Sequence, residues 1–150
     1  MSEEHYAYLL SEDEKWWNRR RVRNQASDST HAFVRRGQVG PKGASKILFY
    51  VKHPVKAIEG HGDFLERITG NSDDLWNLYG AETVFKSKDE YDSFVEGRKK
   101  VTFIRFKDME EFEDPVAFEV VHAATGLRQM PRGGKYLSRE TVNSILGKEM

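Results

Sequence analysis

A chain of 150 residues, 38% hydrophobic and 32% charged, is sized for one domain, and its 12% aromatic content sets it apart from disordered chains. Cysteine is absent, which excludes disulfide scaffolds, thiolate nucleophiles, cysteine zinc sites and iron–sulfur clusters. Net charge is zero but unevenly laid out: residues 15–56 hold eleven bases against Asp28 alone, a segment of +10, whereas residues 57–96 hold ten acids against three bases, a segment of −7.

Tyr6 to Leu10 (YAYLL) has the apolar, aromatic make-up of a buried strand and runs into Ser11-Glu12-Asp13-Glu14, the S-x-x-E of a capping box. A helix is therefore predicted from about residue 12 to Asn24, with acids in its first turn and arginines at its end, the order that the helix macrodipole favours. Residues 25–30 and 37–45 read as loops around a short strand at His31 to Arg35, and Lys46 to Lys52 (KILFYVK) is a strong strand. A strand with one wet face is expected through Phe64 to Ile68, ended by Gly70. Ser72-Asp73-Asp74 then caps a helix that closes at a left-handed Gly80. Thr83 to Phe85 reads as a short strand, and Ser87 to Glu90 is a second capping box whose helix ends at Gly97. Val101 to Phe106 alternates as a strand, and Pro115 to Val121 is expected beside it in an antiparallel sheet. Residues 127–137 form a basic loop, and Ser138 caps a last helix.

Five or six short strands broken by short helices, without long βαβ crossovers, make one α+β domain over residues 1–150, built as a strongly bent sheet or small barrel. The glycines at 37, 40 and 43 do not stand in the register of a phosphate loop, and no nucleophile elbow or dinucleotide fingerprint is present. His53, His61 and Asp63 could gather at one turn, but a loop histidine is usually solvated or a turn residue, so no metal is expected, and no motif calls for a cofactor. No apolar run approaches the ~20 residues of a membrane span and no signal pattern opens the chain, so a cytoplasmic protein without a membrane partner is expected.

Ile58-Glu59-Gly60 followed by Glu66-Arg67 resembles, at a longer spacing, the I-x-x-G…E-x-R signature of ASCH-type domains in the PUA-like superfold. The stretch from Lys46 to Leu146 looks like an archaeal family of PUA-like proteins. The N-terminal order of YAYLL, a helix with Trp16-Trp17, HAFVRRG and KILFYV is similar to EVE domains of the same superfold. The resemblance implies a PUA-like small mixed β-barrel or bent sheet with flanking helices that binds RNA or DNA, in EVE relatives with a pocket for a single, often modified, base. Some ASCH-type relatives are amidohydrolases of acylated cytidine, with a lysine soon after the glycine. Here His61-Gly62-Asp63 follow Gly60, and no lysine stands at the matching place.

A base-reading pocket needs flat apolar faces, polar groups for the base edge and cations for phosphates. Trp16, Trp17, Phe33, Trp76 and Tyr79 are candidate faces, of which one or two are expected to line a pocket while most read individually as core packing. Arg19, Arg20, Arg21, Arg35, Arg36 and Lys42 are candidate phosphate contacts because they come in number, and Arg132 and Lys135 add cations on a glycine-rich backbone. The bland alternative is a solvated basic face paired with the acidic 57–96 segment. The expected base pocket takes Trp17, Phe33, Glu66, Arg67 and Tyr136, although Glu66-Arg67 can equally be a surface ion pair. The leading expectation is a module binding RNA or a modified base. A modified-nucleoside amidohydrolase would use Glu66 as general base with Thr69 or Lys46 assisting. A protein-interaction domain or homodimer, joining the two charged segments, is the third reading.

Overall fold

The computed structural model describes residues 3–27 and 30–147, so positions 28 and 29 of the loop expected over 25–30 lie outside the described residues. The first strand, β1 (Ala7–Glu12), runs past YAYLL because it pairs in parallel with β3 (Lys46–Val51) up to Glu12 opposite Val51. The capping box at Ser11 therefore does not form. Ladder pairing occupies Ser11 and Glu12, and α1 (Glu14–Ala26) starts from Asp13, whose side chain makes no capping bond.

The remaining strands are β2 (His31–Arg35), β4 (Ala57–Asn71), β5 (Lys100–Ala117) and β6 (Lys135–Leu137), in the order β2-β5-β4-β3-β1-β6. With β2 and β6 as its two edges, the six-stranded sheet is open: it is bent and not closed into a barrel. Ladder shifts at Ile58/Gly60, His61/Asp63 and Phe64/Glu66 mark the bulges that bend β4 against β5. At the first of them a Cβ on Gly60 would stand 2.9 Å from Cη2 of Trp17 and 2.5 Å from the Glu110 carbonyl oxygen, so the helix can seat its tryptophan only where the strand has no side chain.

Further features depart from the expectations: Asn71 rather than Ser72 caps the helix after β4, accepting from Asp74 N at 3.0 Å, and β6 forms within the stretch expected as a loop over 127–137. Thr83 to Phe85 is not a strand. A 3₁₀ turn at Gly80–Glu82 precedes it, and the Thr83 hydroxyl donates to Gly80 O (2.8 Å) and accepts from Phe85 N (3.4 Å), local bonds that replace a ladder. Pro115 to Val121 is not a separate neighbour of Val101 to Phe106. Val116 and Ala117 continue the 18-residue β5 opposite Ile58 and Ala57, and Phe118 opens α4 (Phe118–Thr125), where the three-residue spacing of Phe118 and Val121 suits a helix. Gly80 is right-handed (φ −55°, ψ −35°) and leads α2 (Ser72–Tyr79) into the 3₁₀ turn. The caps at Ser87, for α3 (Lys88–Val95), and at Ser138, for α5 (Arg139–Leu146), form as expected.

Alternation puts apolar residues on both faces of the sheet. Leu10, Phe49, Ile104 and Phe106 pack with Trp17 of α1 inside the bend. On the outer face, α2 and α3 cover Val101 and Phe103 with Leu75, Tyr91 and Val95, while α4 and α5 cover Leu9, Leu48 and Ile58 with Val121, Val142 and Ile145.

His31 lies fully buried against Phe106. Its Nδ1 stands 2.7 Å from Arg23 Nη1, which can only donate, so Nδ1 accepts and Nε2 carries the proton toward Asn24 Oδ1 at 3.0 Å. Burial, reinforced by the Arg20 and Arg23 charges, holds the ring's pKa down to about 3 from its ordinary 6.5. Below pH 6.5 the unfolded chain binds a proton that the folded one refuses. Stability from this group is thus complete above 6.5 and falls with pH toward 3, at about 1.4 kcal/mol per pH unit. Urea unfolding at pH 7 and pH 5 should show this loss, and His31→Gln should remove most of that pH dependence while lowering stability at pH 7. An equal pH dependence in both proteins would rule out His31 as its source.

Candidate functional site

The ladder registers place one row of side chains across three strands. Phe33 opposes Ile104, which opposes Arg67, and one step on Arg35 opposes Thr102, which opposes Thr69. Ile104 points into the bend, and alternate positions of a strand share a face. Phe33, Arg35, Arg67 and Thr69 therefore belong to the concave face. Tyr8 and Tyr136, paired across β1 and β6, pack on the same inner core.

The glycine-rich loop between β2 and β3 roofs this end of the face. Arg67 Nη1 donates to Gly40 O at 3.2 Å, Lys42 N donates to the Tyr136 hydroxyl at 2.8 Å, and the Tyr8 hydroxyl donates to Gly133 O in the loop before β6. Beside the roof opens a cavity of about 310 Å³ lined by Glu12, Trp16, Phe33, Arg35, Val39 and Lys52, among others.

The charges around it are unevenly satisfied. Arg20 and Glu12 are 2% and 3% exposed and pair at 2.6 Å, with Arg20 Nη1 also donating to Ala32 O at 3.3 Å. Arg35 sits over the Phe33 ring at 4.9 Å, its Nε is buried without a partner, and Nη2 reaches only Ser11 O at 3.5 Å. Among the described residues no carboxylate pairs with Arg35 or Arg67. Burial pushes the Arg35 pKa down, against the influence of Tyr8 and Glu12. It raises that of Tyr8, which feels the positive charges of both Arg35 and Arg67.

The other candidates divide by surroundings. Trp17 is 1% exposed in the core against Phe49, and Phe33 is 6% exposed with the Arg20 and Arg35 guanidinium groups over its ring, so neither offers a bare stacking face. Arg19 pairs with Glu90 at 2.5 Å, Arg21 with Glu111 at 2.6 Å, and Arg36 with Glu96 at 3.5 Å while donating to Phe94 O. Much of the +10 segment is thus matched by acids within the fold. Lys42, Arg132 and Lys135 are exposed and pair with no carboxylate among the described residues.

Glu66 and Arg67, adjacent in sequence, face opposite sides of β4. Glu66 points outward and pairs with Arg105, which also grips Glu82 at 2.8 and 2.9 Å and lies 4.4 Å over the Tyr79 ring. The two carboxylates push the Arg105 pKa upward, with Glu82 the larger cause. Thr69 shares a hydrogen bond of 2.9 Å with Thr102, and Lys46 binds Asp63 at 2.5 Å. Glu66, Thr69 and Lys46 each have a separate partner and do not converge. Among the described residues no three acidic or histidine side chains are placed to hold a metal ion, and no helix is long and apolar enough to cross a membrane. Sequence reasoning missed Tyr8 and Glu12 as parts of the site. Alternation in YAYLLSE pairs Tyr8 with Leu10 and Glu12 on one face, but which face is concave depends on strands far along the chain.

No family profile matches the sequence. In three dimensions the chain is similar to the ASCH protein of Zymomonas mobilis, with a TM-score of 0.78, 20% identity and coverage of 97% of this chain and 96% of that one. A variant of the same protein gives 0.77 over 94% and 96% of the two chains, also at 20% identity. A hypothetical protein from Leishmania major gives 0.55 at 14% identity, covering 98% of this chain and 96% of that one. The fold is that of ASCH domains in the PUA-like superfold. In sequence, the chain is 28% identical over 92 residues to the large ribosomal subunit protein uL22 of Ureaplasma parvum, a match spanning 61% of this chain and only 28% of that protein.

Proposed function

We propose that the protein binds single-stranded nucleic acid, RNA in the first place, with one nucleotide, including a modified one, entering the cavity beside Phe33 and Arg35. The observation that carries this reading is the convergence of Phe33, Arg35 and Arg67 on one concave face next to a cavity of about 310 Å³. Exposed cations surround the entrance: Lys52 and Arg36 line it, and the loop bearing Arg132 comes up against Val39 of the roof. A guanidinium held over an aromatic ring presents a flat cationic face, on which an unstacked base can lie. Similarity in fold to ASCH domains supports the reading by analogy only.

Fluorescence anisotropy with a labelled single-stranded RNA across a salt series tests it. Log affinity should fall linearly with log salt, by about 0.7 for each phosphate contact released. Duplex DNA of equal length should bind more weakly, because a paired base cannot enter the cavity. Binding that is absent at low salt, or indifferent to salt, would remove the nucleic-acid reading.

A further inference from the structure

Among the partly or fully buried guanidinium groups, Arg19, Arg20, Arg21 and Arg105 have carboxylates at hydrogen-bond distance, and Arg23 is bonded to His31 Nδ1 and the Ala81 carbonyl. Arg35 and Arg67, both on the concave face, reach only backbone carbonyls, those of Ser11 at 3.5 Å and Gly40 at 3.2 Å. A cation withdrawn from water without a counter-charge is costly, and the cost is relieved by an anion that can reach it. Glu12 does not serve, being held by Arg20, and Asp13 at the entrance lies 3.5 Å from Lys52. The inner end of the site therefore carries positive charge that the protein itself does not neutralise.

We infer that Arg35 and Arg67 form an anion subsite at the roofed end of the cavity, and that it takes a phosphate monoester, such as the 5′-phosphate of a strand, in preference to a phosphodiester inside a strand. The inference rests on the nucleic-acid reading for the strand to which the phosphate belongs. Charge favours the monoester: at pH 7 it carries about −1.5 to −2 and three acceptor oxygens, against a single negative charge on a diester. The bonds from Arg67 to Gly40, Lys42 to Tyr136 and Tyr8 to Gly133 fix the roof beside the cavity and hold Arg67 under it. Arg35, which lines the cavity, makes the contact, and Arg67, beneath the loop at Gly40, supplies the second positive charge.

The test compares one RNA sequence with a 5′-phosphate and with a 5′-hydroxyl by anisotropy at fixed ionic strength. The wild type should prefer the 5′-phosphate by roughly tenfold or more, the value of one charged hydrogen bond. Arg35→Met should bring the two oligonucleotides to the same affinity, and Arg67→Met should shrink the preference without erasing it. Arg35→Met also removes an unpaired buried charge, so its melting temperature should hold or rise, which separates loss of preference from loss of fold. Equal affinities in the wild type, or a preference that survives Arg35→Met, would overturn the subsite while leaving strand binding intact. If neither oligonucleotide binds, the nucleic-acid reading fails. The subsite then stands only if inorganic phosphate raises the wild-type melting temperature above chloride at equal ionic strength and Arg35→Met abolishes that rise, and without that shift it falls as well.

Discussion

Arg20→Met is expected to destabilise the protein by about 3–5 kcal/mol, a large share of the 5–15 kcal/mol that holds an ordinary domain together. The partner left behind is Glu12, 3% exposed on β1, which receives Nη2 of Arg20 at 2.6 Å and Nε at 3.2 Å. Without Arg20 that carboxylate has no cation at hydrogen-bond distance. The guanidinium also lies 5.2 Å from the Phe33 ring and 5.7 Å from Phe106, so its loss loosens α1 from β2 and β5 together. Replacing both partners, Glu12→Leu with Arg20→Met, should recover most of the stability, because an apolar pair leaves no buried charge. Urea denaturation of the three proteins measures both effects, and a loss below about 1 kcal/mol in Arg20→Met would show that the pair is not what fastens the helix. The same reasoning bears on function. An Arg19, Arg20, Arg21 triple alanine variant would mix unfolding with lost binding, so cations are best probed one at a time.

How much was legible in the sequence differs between local and long-range features. Strands at His31 to Arg35 and Lys46 to Val51 and the serine caps of α3 and α5 follow from residues within a few positions of each other, and they are found where expected. Two of the errors share one cause. Ser11 carries a capping signal and Pro115 to Val121 a strand signal, but in each case the ladder with a distant partner, Tyr50 for Ser11 and Ile58 for Val116, fixes the outcome. The site shows the same limit. Residue types pointed to Phe33, Arg35 and Arg67, yet only the registers across β2, β5 and β4 place them on one face and send Glu66 to the other. Charge runs say least about pairing, since Arg19 and Arg21 find Glu90 and Glu111 across separations of 71 and 90 residues that no local pattern reveals.

Those pairings divide the basic residues into two sets with different expected effects on RNA binding. Arg19 and Arg21 already hold carboxylates at 2.5 and 2.6 Å, so a phosphate must displace an existing partner, and alanine at either position should change affinity by less than about threefold. Lys42 and Arg132 have no such partner among the described residues, and both sit around the roof: Lys42 N is bonded to Tyr136, and the loop of Arg132 approaches Val39. Each charged hydrogen bond to phosphate is worth about 1.5–3 kcal/mol, so the double variant Lys42→Glu with Arg132→Glu should weaken binding by about a hundredfold or more at low salt. Both side chains are exposed, so stability should stay within about 0.5 kcal/mol of the wild type, which circular dichroism melting would check. The salt slope of the double variant should be shallower, because two fewer phosphates release counterions. The opposite ranking, with Arg19 and Arg21 dominant and the double variant near wild type, would move the nucleic-acid face from the roof of the cavity to the outer side of α1.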